Sequence, residues 1–136
     1  MKRAAVLALS AALFLLVTVA LADEFPMRNA TIEPAAEGVV HANTDRNGNL
    51  DIEVVVKHLA PPERLSPSHQ NYVVWVQPPG KSPENIGMLR INKDDMAGSL
   101  RTKVTYRSFD IFVTAEDNAH LDSPMGPEVL RGTVQK

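Results

Sequence analysis

The stretch Asn43-Thr44-Asp45-Arg46-Asn47-Gly48-Asn49-Leu50-Asp51 sets oxygen-bearing side chains at alternate positions, a glycine sixth and an aliphatic residue eighth. That is how a calcium-binding loop begins, with hard oxygen ligands around the ion and a glycine making the sharp turn. Asn43, Asp45, Asn47 and Asp51 are therefore the candidate metal ligands. The pattern then stops. Its twelfth position, where such a loop places a bidentate glutamate, is Val54, and a strand-like run stands where a helix should follow. Asn47-Gly48 ahead of alternating apolar residues is also a hairpin signal, because both residues tolerate positive φ. The expectation is a turn here, with calcium ligation as the alternative.

Other catalytic patterns fail on spacing. His41, His58, His69 and His120 lie far apart, with no H-x-H, H-x-x-x-H or H-E-x-x-H arrangement to bring two imidazoles to one metal. His58 and His69 flank a proline-rich connection, and His41 and His120 are expected at the surface. No G-x-S-x-G supports a nucleophilic serine; Ser66, Ser82, Ser99 and Ser123 belong to loops or turns. Asp23-Glu24, Asp94-Asp95 and Glu116-Asp117 are sequence neighbours, which on a strand point to opposite faces and cannot converge on a substrate. Phosphate-binding glycine loops are absent. No catalytic residue and no cofactor is expected. Tyr72, Trp75 and Phe112 are candidates for a sugar-stacking platform, but the chain has seven aromatic residues and the core needs most of them, so Trp75 is expected between sheets.

The elements that position these residues have a period of two. From Asn49 to Lys57, Leu50, Ile52, Val54 and Val56 share one face and Asp51, Glu53 and Lys57 the other, which predicts a half-buried strand. Asn71 to Gln77 is almost wholly apolar, as for a central strand covered on both sides, and Pro78-Pro79-Gly80 ends it. Ser108 to Ala115 puts aromatic mass on both faces and should pair near the Trp75 strand. Weaker strands are expected at Asn29–Glu33, Val39–Ala42, Ile86–Asn92, Leu100–Tyr106 and Glu128–Val134. About seven or eight short strands, divided by prolines and turn residues, predict an all-β fold: an antiparallel two-sheet sandwich of the immunoglobulin-like kind, with a closed barrel as the alternative.

Lys2 and Arg3, the apolar run Ala4–Val19 broken only by Ser10 and Thr18, and Ala20-Leu21-Ala22 follow the order of a secretory signal peptide over residues 1–22. If the leader stays uncut it becomes a membrane anchor, and the domain still lies outside the cytoplasm. Removing Lys2 and Arg3 from the 14 basic residues leaves 12 against 16 acidic ones, a net charge of −4 over Asp23–Lys136. One domain fits that length. A mildly acidic chain with scattered basic residues has no electrostatic footprint for nucleic acid. With no cysteine, the fold is held by packing alone, and disulfides and thiolate metal sites are excluded.

Residues 71–134 resemble the extracytoplasmic C-terminal domain of anti-sigma-K-type factors. The features that match are Tyr72-Val73-Val74-Trp75 before a Pro/Gly turn, Asn85-Ile86-Gly87, Phe112-Val113-Thr114-Ala115-Glu116, and Pro124-Met125-Gly126-Pro127 before Val129-Leu130. The resemblance implies a free-standing exported module, because the family's sigma-binding cytoplasmic segment and membrane helix have no counterpart in these residues; it transfers no catalytic residue. The expectation is a secreted or periplasmic, non-enzymatic β-module of a bacterial envelope, protein-binding or structural. Its partner would be another envelope or extracellular protein, without nucleic acid and without stable membrane insertion once the leader is cut. A module that binds calcium or carbohydrate is the alternative. Ala60–Asn71 and Glu116–Pro127 are the candidate contact loops, since sandwich loops are free to vary over a rigid scaffold.

Overall fold

The computed structural model describes residues 22–30 and 32–136, so the leader assigned to residues 1–22 lies, apart from Ala22, outside the described residues. The alternating segments form strands: β1 (Asp23–Asn29), β2 (Glu37–Thr44), β3 (Leu50–Lys57), β4 (Asn71–Gln77), β5 (Glu84–Met88), β6 (Arg90–Asn92), β7 (Ala97–Val104), β8 (Ser108–Glu116) and β9 (Glu128–Gln135). A 3-10 turn at Pro62–Arg64 is the one helical element among the described residues. The expected strand at Asn29–Glu33 sits earlier, as β1. Beyond Asn29 the backbone turns instead, Glu33 N donating to Ala30 O and Ala36 N to Glu33 O.

All pairings are antiparallel and join into one nine-stranded sheet in the order β5-β4-β8-β9-β1-β2-β3-β7-β6. This differs from the two separate sheets expected. β5 and β6 stand at opposite ends of that order, yet only Leu89 separates them in the chain. Leu89 N donates to Tyr72 O of β4 at 2.9 Å, whereas the next residue, Arg90, pairs with Ser99 of β7. The segment expected as one strand, Ile86–Asn92, thus bends at buried Leu89 and changes partner there. The sheet curls until its edges meet, in a nearly closed barrel. Closure matters physically because it leaves little unpaired edge.

The inward-facing residues of each strand fill the barrel: Val40 and Ala42 of β2, Leu50, Ile52, Val54 and Val56 of β3, Tyr72, Val74 and Val76 of β4, and Phe109, Ile111 and Val113 of β8. β4 and β8 are apolar on their outer faces too. There Val73, Trp75 and Phe112 make a second cluster beneath Ala119 and Leu121 of the β8–β9 connection. Trp75 and Phe112 are direct partners across β4 and β8, with ring centroids 6.5 Å apart, and the Arg131 guanidinium lies 4.3 Å from the Phe112 centroid. Trp75 is fully buried, but outside the barrel and under a loop, which corrects its expected place between two sheets.

A chain of hydrogen bonds pins that loop. Trp75 Nε1 donates to Thr114 Oγ1 (2.8 Å), and Thr114 donates to Glu116 Oε2 (2.6 Å). Glu116 also accepts from Met125 N (3.1 Å) and Gly126 N (2.7 Å). Three donors, each with its own proton, converge on one buried carboxyl. Gly126 lies so close to β8 that a Cβ there would overlap the Ala115 carbonyl oxygen. Gly126→Ala is therefore expected to lower stability by about 1–3 kcal/mol, as overpacking does. Glu116→Gln, which aims an amide donor at groups that themselves donate, is expected to lose about 1–3 kcal/mol. Both should expose Trp75, the only tryptophan, and shift its fluorescence to the red. Native-like emission and unfolding midpoints in both variants would contradict the clamp.

Candidate functional site

The loops at one end of the barrel enclose a cleft of about 540 Å³. Its walls come from Ile32, Glu33, Pro34 and Ala35 between β1 and β2, residues from His58 to His69 between β3 and β4, Met96 in the β6–β7 turn, and Pro127 ahead of β9. Size and mixed lining suit a small-ligand or peptide site. Ile32 and Met96 keep 43% and 38% of their surface exposed at its rim. The two candidate contact loops meet beside its His69 wall: Gln70 N donates to Glu116 O (3.2 Å), Asn71 Nδ2 to Asp117 O (3.4 Å), and His69 Nδ1 lies 3.1 Å from Asp117 Oδ1.

Backbone strain is concentrated at the same place. His58 (φ 56°) and Met96 (φ 50°) are the two non-glycine residues with positive φ among the described residues, and both line the cleft. They are coupled through the hydrogen bond from Leu59 N to Met96 O (2.8 Å), which turns fully buried Leu59 into the core. A left-handed conformation opposes a Cβ by about 1–2 kcal/mol, so a side chain is retained in both places against a steric cost.

The cleft floor holds the buried acid Glu33, 6% exposed. Its Oε1 accepts from Ala60 N (2.8 Å), while its Oε2 lies 3.0 Å from Tyr72 Oη. Tyr72 Oη is also 2.6 Å from Ala60 O. The single Tyr72 hydroxyl proton thus faces two acceptors, the Glu33 carboxyl and the Ala60 carbonyl. Burial pushes the Glu33 carboxyl above the usual range, against the opposite pull of the Ala60 N–H and Tyr72 hydroxyl. The Tyr72 phenol is pushed upward by burial and by the neighbouring Glu33 and Glu63 carboxyls.

The sequence candidates fall in other places. Asn43 and Asp51 are cross-strand partners on β2 and β3, and Asp45 and Asn47 lie in the hairpin between them. Asp45 Oδ1 accepts from Asn47 N (2.8 Å) and Asn49 N (3.0 Å), and Gly48 takes φ 81°. The Lys103 ammonium lies 3.3 Å from Asp45 and 3.4 Å from Asp51, where a cation would stand. Desolvation pushes the Asp45 carboxyl up, but the N–H groups of Asn47 and Asn49 together with Lys103 outweigh it and hold it below the usual range. Among the described residues no three His, Asp or Glu side chains gather as metal ligands do.

Tyr72, Trp75 and Phe112 are at most 4% exposed, so these rings present no open face for sugar stacking. His41 lies 3.4 Å from Glu24, and His120 is exposed. A larger hollow of about 730 Å³ on the outer face of β2, β3 and β7 is lined by charges that pair among themselves, Arg101 with Glu53 and Lys103 with Asp51.

His69 and Asp117 form an imidazole–carboxylate pair, but among the described residues no hydroxyl reaches the far ring nitrogen, and the buried His69 Nε2 has no hydrogen-bond partner among them. No family model, curated protein or solved structure matches the chain.

Two outcomes test this site. A carboxyl whose native form favours the proton adds stability below its unfolded pKa and loses it as pH rises through its folded one. Glu33→Gln keeps the acceptor for Ala60 N and supplies a donor for Tyr72 Oη. Relative to wild type it should gain stability as pH rises above the ordinary glutamate range, whereas Glu33→Ala should lose about 1–3 kcal/mol by leaving buried groups unpaired. Urea unfolding at a series of pH values decides it, and a Glu33→Gln difference independent of pH would contradict the upward shift of the Glu33 carboxyl. Separately, millimolar calcium should leave the unfolding temperature unchanged, while Asp45→Ala lowers it without calcium. A calcium-dependent rise removed by Asp45→Ala would restore the metal reading.

Proposed function

We propose that this chain is an extracytoplasmic, non-enzymatic binding module whose contact surface is the cleft that the Ala60–Asn71 loop forms with the β1–β2 connection, Met96 and Pro127. The observation that carries the reading is the coincidence of the strained residues His58 and Met96 with this cleft. Strain of this kind collects where a surface serves something other than stability. Exposed Ile32 and Met96 add apolar area that the core does not use. A rigid barrel presenting loops from one end is a common way to build such a surface.

The export assignment belongs to this proposal and rests on the leader-like order of residues 1–22. Kinship with the extracytoplasmic domain of anti-sigma-K-type factors is likewise proposed, on the matching segments between Tyr72 and Leu130. A sandwich-like description has one support: β1 and β9 pair over only three residues, Met27–Asn29, so the sheet can fold over at that junction.

Glycine relieves left-handed strain but adds unfolded-chain entropy, so His58→Gly and Met96→Gly should each stay within about 1 kcal/mol of wild-type stability. Both should nevertheless lose the partner captured by wild type from the envelope fraction of the source cells. Capture that persists in both variants would sink the assignment of this surface.

A further inference from the structure

The β2–β3 hairpin turns through Asp45-Arg46-Asn47-Gly48-Asn49, and β3 then carries the chain about 25 Å to the cleft wall that begins at His58. Lys103 stands there in place of a cation. What the turn leaves to the solvent is an exposed asparagine followed by a glycine. That dipeptide has a chemistry of its own: the backbone nitrogen after an asparagine attacks the side-chain amide carbon when the two can meet. Glycine has no Cβ to hinder the approach, and its backbone turns most freely. Asn47-Gly48 is the one such pair in the chain, since the other asparagines precede Ala, Thr, Leu, Tyr, Ile or Lys.

The turn is held through Asp45. Its N–H donates to Asn49 O (2.8 Å), and its Oδ1 accepts from Asn47 N (2.8 Å) and Asn49 N (3.0 Å). The Asn47 carboxamide takes no part in these bonds. Gly48 N, the attacking atom, donates to Asp45 O at 3.2 Å, the longest of the four. Reaction requires rotation about the Asn47 Cα–C bond, which breaks that hydrogen bond. Such an opening costs little in an exposed turn, and the two bonds to Asp45 Oδ1 oppose it.

We infer that, independently of any binding role, Asn47 is a site of spontaneous deamidation whose rate Asp45 restrains. Gly48 N gives its proton to solvent and bonds to Asn47 Cγ, and Nδ2 departs as ammonia with protons taken from water. A water molecule then opens the succinimide. Addition at Cγ breaks the Cγ–N bond and leaves aspartate at position 47; addition at the main-chain carbonyl breaks its bond to nitrogen and routes the backbone through Cγ as isoaspartate. Either product sets a new negative charge two residues from Asp45. Arg107, whose Nη2 lies 3.4 Å from Gly48 O, is the cation beside it. The chain thereby carries a mark of its age at a turn that the cleft does not use.

The test follows the isotope-labelled whole protein at neutral pH and body temperature, through the side-chain amide NMR signals of its asparagines and the ammonia released. Wild type should lose the Asn47 signals before those of any other asparagine. Asp45→Ala should lose them roughly five- to tenfold faster, the factor that one hydrogen bond contributes. Asp45→Asn keeps an oxygen acceptor and should stay near the wild-type rate, and Asn47→Gln should keep its side-chain amide over the same time. A folded wild-type chain that retains Asn47 while the urea-unfolded chain loses it would overturn the site, as would earlier loss at another asparagine. Equal rates in wild type and Asp45→Ala would overturn the restraint by Asp45. The site itself is read on wild type, so the test stands even where Asp45→Ala unfolds.

Discussion

One phenolic hydroxyl, set between a buried carboxyl and a backbone carbonyl, organises the functional end of this barrel. Tyr72 points inward from β4, and its hydroxyl emerges where two connections pass, meeting the Glu33 carboxyl on one side and the Ala60 carbonyl on the other. Ala60 N closes the arrangement by donating to Glu33. Two loops of different origin are thereby bound to the same strand and to each other, and the cleft is the space they frame. Burial favours the protonated form of Glu33 and the hydrogen bonds from Ala60 N and Tyr72 oppose it, the upward push winning.

The opposite face of β4 solves the same problem with different proton arithmetic. Trp75 Nε1–H, the Thr114 hydroxyl and the N–H groups of Met125 and Gly126 form an unbroken series of donors ending on Glu116. β4 thus anchors one loop system through its inner face and another through its outer face, and contacts of Gln70, His69 and Asn71 with residues 116–117 join the two. A disturbance on either face of this strand reaches the geometry of the cleft. The apolar run Tyr72–Val76 therefore positions the site as well as filling the core.

Much of the barrel is legible in the sequence because period-two alternation survives in it. β3 and β8 stand within a residue of where alternation places them and β4 coincides with the apolar run Asn71–Gln77, and the doubly apolar character of β4 and β8 anticipates their pairing. Closure is not legible: Ile86–Asn92 has one continuous pattern, and a change of hydrogen-bonding partner at Leu89 leaves no mark in residue type. Two-sided burial of Trp75 is visible, but not whether a sheet or a loop covers it, since both ask for the same apolar residue. The site is harder still. Proline content singles out the two loops, yet Glu33 closes a segment expected as a weak strand, Asn29–Glu33, and its burial arises only when distant Tyr72 and Ala60 come to it. His58 and Met96 carry no sign of positive φ, because neither is a glycine or an asparagine.

The most direct measurement is a pH titration of the Glu33 side-chain carboxyl carbon by NMR in the wild-type protein, assigned through the Glu33→Gln variant. The account predicts that this resonance keeps the shift of a protonated acid as the exposed carboxyls ionise and titrates only above their range. A Glu33 carbon that titrates with the exposed glutamates, or below them, would show an ionised carboxylate at the floor of the cleft and contradict the account.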